Sequence, residues 1–182
     1  MEQVTRTGQS LAVVPERSRP VVPDGYGVPA SDEGMVDWSW VVERLEQARN
    51  YWFCTTRPDG RPHAMPAWAV WVNDALYFDG SPETRRGRNL KRNSAITVHL
   101  ESGDQVVVLE GDAVEPGKPD PQLAQQLVAA FEKKYAATDD YHPAADQWDN
   151  GGLWVLRPRV AFGWRDFPNS LTRFRFPRGE NA

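Results

Sequence analysis

The residues best able to do chemistry lie together in Ser81–Asn93, SPETRRGRNLKRN, where Arg85, Arg86, Arg88, Lys91 and Arg92 fall within one short stretch. The whole chain has a formal net charge of -4, so this positive run stands against the general balance. It reads as the opening of a helix, with Ser81 as N-cap, Pro82 at the first helical position and Glu83 at the positive end of the dipole. Backbone N–H groups at a helix start, with guanidinium forks beside them, make a phosphate site. A solvated basic helix face is the plainer reading of the same residues.

Other chemistries find less in the chain. No G-x-S-x-G occurs, and His63, His99 and His142 have no Ser or Cys partner of nucleophilic pattern. The histidines also lack the i, i+4 or carboxylate spacing of a metal site, so no metal is expected. Asp139-Asp140-Tyr141-His142 reads as a solvated loop, and Cys54 as a small apolar filler. Gly-rich dinucleotide and phosphate loops are absent. No acid or base stands out and no catalytic residue is assigned, which favours chemistry carried by a bound cofactor.

These residues must be positioned by one domain of ordinary size. The 182 residues are 40% hydrophobic and include 8 Trp, enough to fill a core. A pI near 5.4 argues against non-specific nucleic-acid binding. There is no apolar run of the length that spans a bilayer and no signal-peptide pattern, and the single cysteine suits a reducing compartment. The expected setting is cytoplasmic, with no nucleic-acid or membrane partner.

Residues 1–36 show no period and read as an N-terminal arm, mobile or draped, ahead of a cofactor-binding domain over 37–182. Asp37 can cap a helix through about Arg49. Tyr51–Thr56 and His63–Val72 read as strands around the turn Arg57-Pro58-Asp59-Gly60, and Asn73-Asp74 turns into the strand Ala75–Asp79. Pro66 cannot donate to a ladder, so its backbone must lie at an edge or be locally open. Small Ala67 and Ala69 beside Trp68 would let a flat aromatic ligand approach there, although Trp68 and Trp71 also suit barrel core and dimer packing. Ala95–Glu101 and Val106–Val114 follow, with Val106–Leu109 buried on both faces. A helical stripe runs from Leu123 to about Ala136–Ala137. Leu153–Trp164 is the last long strand, with Pro158 marking an edge or bulge, and Thr172–Phe176 a short final one. Consecutive hairpins of this kind close most economically into a small barrel.

In their order and spacing, RPDGRPHAMPAWAVW, ALYFDG, TRRGRNLKRN, VVVLEG, FGWRDF and TRFRF resemble the pyridoxamine 5'-phosphate oxidase-like split β-barrel family. The likeness covers about Asp37–Phe176 and is greatest to its actinobacterial flavin- and deazaflavin-binding branch. It implies a mainly β fold with flanking helices: a six-stranded antiparallel split barrel, in a homodimer with the cofactor at the subunit interface. Thr84, Arg85 and Arg86 stand where the oxidases grip the FMN phosphate, with Arg88 and Lys91 as outer charge. Met65, Pro66, Ala67 and Trp68 match the strand that runs along the flavin ring. Trp164 and Arg173 match a Trp and an Arg that reach the cofactor from the partner subunit.

The departures narrow the function. Asn169 and Leu171 replace the Arg and His that hold pyridoxal phosphate in the oxidases, which argues against that oxidation. Arg86 replaces the Lys of the triplet, and the surplus of positive charge suits the long acidic tail of coenzyme F-420. The resemblance therefore implies a deazaflavin (F-420)-dependent oxidoreductase passing a hydride to a small organic substrate, with Tyr77 or Tyr141 available to supply a proton. The alternatives are an FMN-binding flavin reductase or oxidase-like protein of the same fold, and a cofactor-binding protein without turnover.

Overall fold

The computed structural model describes residues 14–177. Of the arm expected over 1–36, residues 1–13 lie outside the described residues, as do 178–182 of the tail. In chain order the elements are β1 (Glu16–Ser18), α1 (Trp38–Gln47), β2 (Tyr51–Thr56), β3 (Pro62–Ala67), β4 (Val70–Val72), β5 (Ala75–Asp79), α2 (Arg85–Arg92), β6 (Ala95–His99), β7 (Val106–Val114), α3 (Pro121–Asp139), β8 (Leu153–Trp164) and β9 (Thr172–Arg175).

Turn chemistry sets the local hairpins. Gly60, at φ +82°, closes the β2–β3 turn by donating its N–H to Arg57 O at 2.9 Å. Asn73 and Asp74 both take positive φ between β4 and β5, the geometry of a two-residue hairpin loop. Every strand pairing is antiparallel. The pairings run β3–β2–β6–β7–β8–β5–β4, and β9 and β1 extend from the C-terminal half of β8. The span His63–Val72, expected as one strand, divides at Trp68-Ala69: β3 pairs with β2 and β4 with β5. Counting that bent segment once, six strands surround the core. No ladder joins β3 to β4, so the barrel is split there and bridged only by the chain.

The bend has a physical cause. Ala69 N–H donates to the Tyr135 hydroxyl at 3.1 Å, and Ala69 O accepts from Lys134 Nζ at 3.2 Å, so side chains of α3 satisfy backbone groups that a straight strand would pair. Pro62 and Pro66 lie on β3, which pairs only with β2 and is an edge, where a missing N–H is tolerated. Pro158 sits at a bulge: Glu110 is opposite Val160 and Gly111 is opposite Pro158, which leaves Arg159 as the extra residue of β8.

Period-two alternation fills two cores. Phe53, Leu76, Phe78, Val98, Leu109, Trp154 and Leu156 point into the barrel, where α1 adds Val41 and Leu45. Ala75, Tyr77, Leu153 and Val155 point outward and are covered by Leu127, Phe131 and Tyr135 of α3. Burying each large side chain contributes roughly 1.5–3 kcal/mol. Within Val106–Leu109, three residues are buried and Val108 is half-buried.

The described part of the arm lies along this sheet. β1 pairs with β9, and the Arg19 guanidinium donates to the carbonyls of Ser31, Glu33, Asn169 and Leu171.

Lys134 is half-buried and lines a groove together with Glu46, Gln47, Val70, Trp71, Ala130 and Lys133. Its Nζ donates to Leu45 O, Ala69 O and the Tyr51 hydroxyl at 3.2, 3.2 and 2.6 Å. Burial lowers its pKa from 10.5 to about 8. A chain unfolding between those pH values takes up a proton. The cost of the buried charge, on the order of 2–3 kcal/mol, is therefore full below pH 8 and fades as the pH rises toward 10. Burial holds Tyr51 and Tyr135 above the ordinary tyrosine range, which acts in the opposite sense once unfolded tyrosines ionise above about pH 10. Thermal stability is expected to rise from pH 7 to about 9 and to fall above 10. Lys134→Met leaves both carbonyls within reach of a tyrosine hydroxyl. Melting curves across this range should show that variant at least as stable as the parent at pH 7 and without the rise. A large drop in its melting temperature at pH 7 would contradict this account.

Candidate cofactor site

The basic segment begins differently from its sequence expectation. Thr84, not Ser81, is the N-cap of α2: its Oγ1 accepts from Gly87 N at 3.1 Å and donates to Ser81 O at 2.8 Å. Ser81 instead anchors the preceding turn, with Oγ accepting from Glu83 N and O accepting from Thr84 N. Both hydroxyls stand within the same few residues, and the one three positions before an open N–H takes the cap. The helix start is thereby aimed past Thr84, with Arg85 and Arg86 in its first turn.

Arg86 is folded inward. It donates to Asp79 O at 2.8 Å, and its guanidinium lies 4.8 Å from the Phe53 ring and 5.0 Å from the Phe78 ring. Burial lowers its pKa and Asp79 partly restores it. Four of its five N–H groups are left for another partner. Arg85 is exposed and makes no hydrogen bond or ion pair among the described residues. Arg88 and Lys91 turn toward Glu83, through its backbone oxygen and its carboxylate respectively.

Beside α2 stands the β2–β3 hairpin. Buried Thr55 accepts from Asn89 Nδ2 at 2.9 Å and lies 3.5 Å from His63 Nδ1, its cross-strand neighbour. Arg57 Nε is buried without a partner among the described residues. Arg57 and His63 do not belong to the expected site. The hairpin itself was the signal that could have found them, because a tight RPDG turn brings 57 and 63 together.

The remaining candidates fall into two groups. Met65 and Pro66 are exposed on the edge strand β3, and Ala67 is half-buried there. The Trp68 ring stacks on Tyr135 at 4.6 Å and meets Tyr141 edge-on, so it packs against α3. Trp164 packs against Phe167, and Arg173 donates to Ser18 Oγ of β1 at 3.0 Å. Both lie toward the C-terminal end of β8: Trp154 bonds Gly80 O beside α2, Trp164 follows ten residues further along the strand, and Arg173 is opposite Phe162.

A cleft of about 420 Å³ opens beside the start of α2, between Gly80–Pro82 and Gln147–Gly152. Asp79 lines it and accepts from the Tyr141 hydroxyl at 2.7 Å; burial, aided by that carboxylate, pushes the Tyr141 pKa up to about 12. Tyr77 is buried under α3. Burial pushes the Cys54 thiol up, in keeping with an unreactive residue. Among the described residues no group of three or more His, Cys, Asp or Glu is placed to hold a metal, and no helix is long and apolar enough to cross a membrane.

Residues 40–165 match the family model described as pyridoxamine 5'-phosphate oxidase. The chain belongs to that split-barrel family. Its solved relatives share the fold at low identity. A conserved hypothetical protein of Mycobacterium tuberculosis is 22% identical with a TM-score of 0.60, covering 75% of this chain and 89% of its own. An F-420 reductase is 22% identical with a TM-score of 0.50, covering 77% and 98%. The heme storage protein of Vibrio cholerae is 18% identical with a TM-score of 0.51, covering 66% and 89%. No curated protein sequence matches the chain. Proteins of this fold thus include one described as an F-420 reductase and one described as a heme storage protein, and side chains decide between such roles. In this member Leu171 is buried and Asn169 bonds Asp166, so neither offers a charged group to a pyridoxal phosphate.

Proposed function

We propose that this split-barrel protein binds coenzyme F-420 and passes a hydride between it and a small organic substrate. The carrying observation is the start of α2, where Arg85 has no partner among the described residues, Arg86 keeps free N–H groups, and the open edge of β3 lies close by. That donor set suits a phosphate: planar forks on a helix N-terminus, with a buried unpaired Arg57 Nε nearby. A bound deazaflavin supplies the hydride chemistry.

The chain's own residues bind and orient. Arg85 and Arg86 hold the phosphate, with Thr84 fixing the helix start and Arg88 and Lys91 adding charge further out. Met65, Pro66 and Ala67 present an apolar edge for a flat ring and keep water from one of its faces. Tyr141, beside the cleft, stays protonated at neutral pH and can donate to a substrate. A homodimer with the cofactor at the subunit interface belongs to this reading, in which Trp164 and Arg173 reach the cofactor from the second copy. The F-420 reductase of the same fold is consistent with the choice of cofactor, and FMN is the second reading, since one phosphate needs no more than Arg85, Arg86 and the helix start.

Quenching of tryptophan fluorescence by each cofactor tests this. F-420 is expected to bind at least about tenfold tighter than FMN, the margin for one further charge-assisted contact. Affinity for FMN with none for F-420 would replace the first reading by the second, and binding of neither would defeat both.

A further inference from the structure

We infer that Arg57 and His63 form, together with Arg85 and Arg86, a proton-linked second anion subsite for ligands whose anionic end extends beyond one phosphate. This rests on the reading of α2 as a phosphate anchor and adds to it two residues of the neighbouring hairpin.

The geometry brings the four side chains to one place. Thr55 and Arg57 lie two residues apart at the end of β2, which puts them on one face of the chain, and His63 is directly opposite Thr55. Asn89 reaches Thr55 from α2, and Arg85 lies four residues earlier on the same helix face. Arg85 therefore stands over the hairpin end that carries Arg57 and His63. Arg86, next along, bonds Asp79 O at the barrel end.

Among the described residues no carboxylate pairs directly with these four side chains, and Asp79 acts on Arg86 through its backbone oxygen and its nearby charge. Asp59, in the hairpin turn, takes Arg61 N and lies 3.8 Å from the Arg61 guanidinium. Glu83 pairs with Lys91, and the Asp79 carboxylate turns to Tyr141 and Gln147. Arg57 Nε stays buried and unpaired among the described residues, an orphan donor of the kind a ligand oxygen satisfies.

His63 makes the subsite sensitive to protons. Burial, followed by the charges of Arg57, Arg85 and Arg86, lowers its pKa below the ordinary 6.5, so it is neutral at pH 7. An anion among these groups offsets the repulsion and favours the imidazolium. The bound state then carries more protons than the free one, and anion affinity must rise as the pH falls.

Sulfate is a suitable probe, because its charge is constant from about pH 5 to 8. Proton NMR of the full chain, with the His63 ring signal assigned through His63→Gln, should show His63 titrating below 6.5 without sulfate. Saturating sulfate should move that titration up by about one unit. Sulfate affinity should rise about five- to tenfold between pH 8 and 5.5, with the slope lost in His63→Gln. At pH 8, Arg57→Gln should weaken pyrophosphate about tenfold and sulfate much less. A His63 titration indifferent to bound sulfate, or equal losses for the two anions in Arg57→Gln, overturns the subsite. If Arg85→Ala with Arg86→Ala abolishes sulfate binding in that same experiment, the α2 anchor stands without it. Sulfate binding that survives the double substitution removes the anchor, and no sulfate binding by the parent removes both.

Discussion

Replacing Arg85 and Arg86 together by alanine is expected to weaken cofactor binding by about 3–6 kcal/mol, a loss of more than a hundredfold, because two charge-assisted contacts to one phosphate disappear. The single variants should separate in an informative way. Arg85 is exposed and unpartnered among the described residues, so Arg85→Ala should reduce affinity and leave the melting temperature where it was. Arg86 holds Asp79 O and covers the rings of Phe53 and Phe78, so Arg86→Ala should reduce both. Titration calorimetry beside thermal melts reads the two quantities. Undiminished affinity in the double variant would place the phosphate elsewhere.

Gly87→Ala should carry the largest effect on stability among substitutions in the site. In an ordinary exposed helix interior this exchange stabilises by up to about 1 kcal/mol. Here an added Cβ would meet Pro82 O at 2.6 Å and Pro82 C and Cα at 2.7 Å. Those are backbone atoms of the turn that anchors the helix, and they cannot move aside as a side chain would. The expected result is a loss of about 2–3 kcal/mol, or roughly 5–10 °C in melting temperature for a chain of this size. Affinity should fall as well, since α2 is pushed off the turn that aims its N-terminus. A stabilised Gly87→Ala protein would mean that the turn and helix are less closely packed.

Much of the fold and part of the site were open to reading residue by residue. The density of Arg and Lys in 85–92 marked the segment proposed as the anchor, because charge of one sign is costly to gather without a use. Ala75–Asp79 and Leu153–Trp164 were legible as strands, and the structure adds that both faces of each are covered, each by its own core. Pro66 announced an edge or an opening and Pro158 an edge or a bulge, and the structure makes the first an edge and the second a bulge. The cap was misplaced because Ser81 and Thr84 are chemically alike, and only hydrogen-bond reach to Gly87 separates them. The division of His63–Val72 could not be seen, because its cause lies more than sixty residues away, in Tyr135 and Lys134 of α3.

Nearest neighbours along the chain dictate the strands, the turns, the basic helix and the family pattern. Local sterics, charge density and side-chain period act over a few residues, and a chain carries them whether folded or not. Which cations meet is a property of the folded molecule alone. Folding turned Arg88 and Lys91 toward Glu83, left Arg85 open, tucked Arg86 under Asp79, and set Arg57 and His63 from a different hairpin beside them. It also put Trp164 and Arg173 at the far end of β8. Such convergence depends on pairings between distant segments, chosen by burial of the whole core, and no short window of residues contains that information.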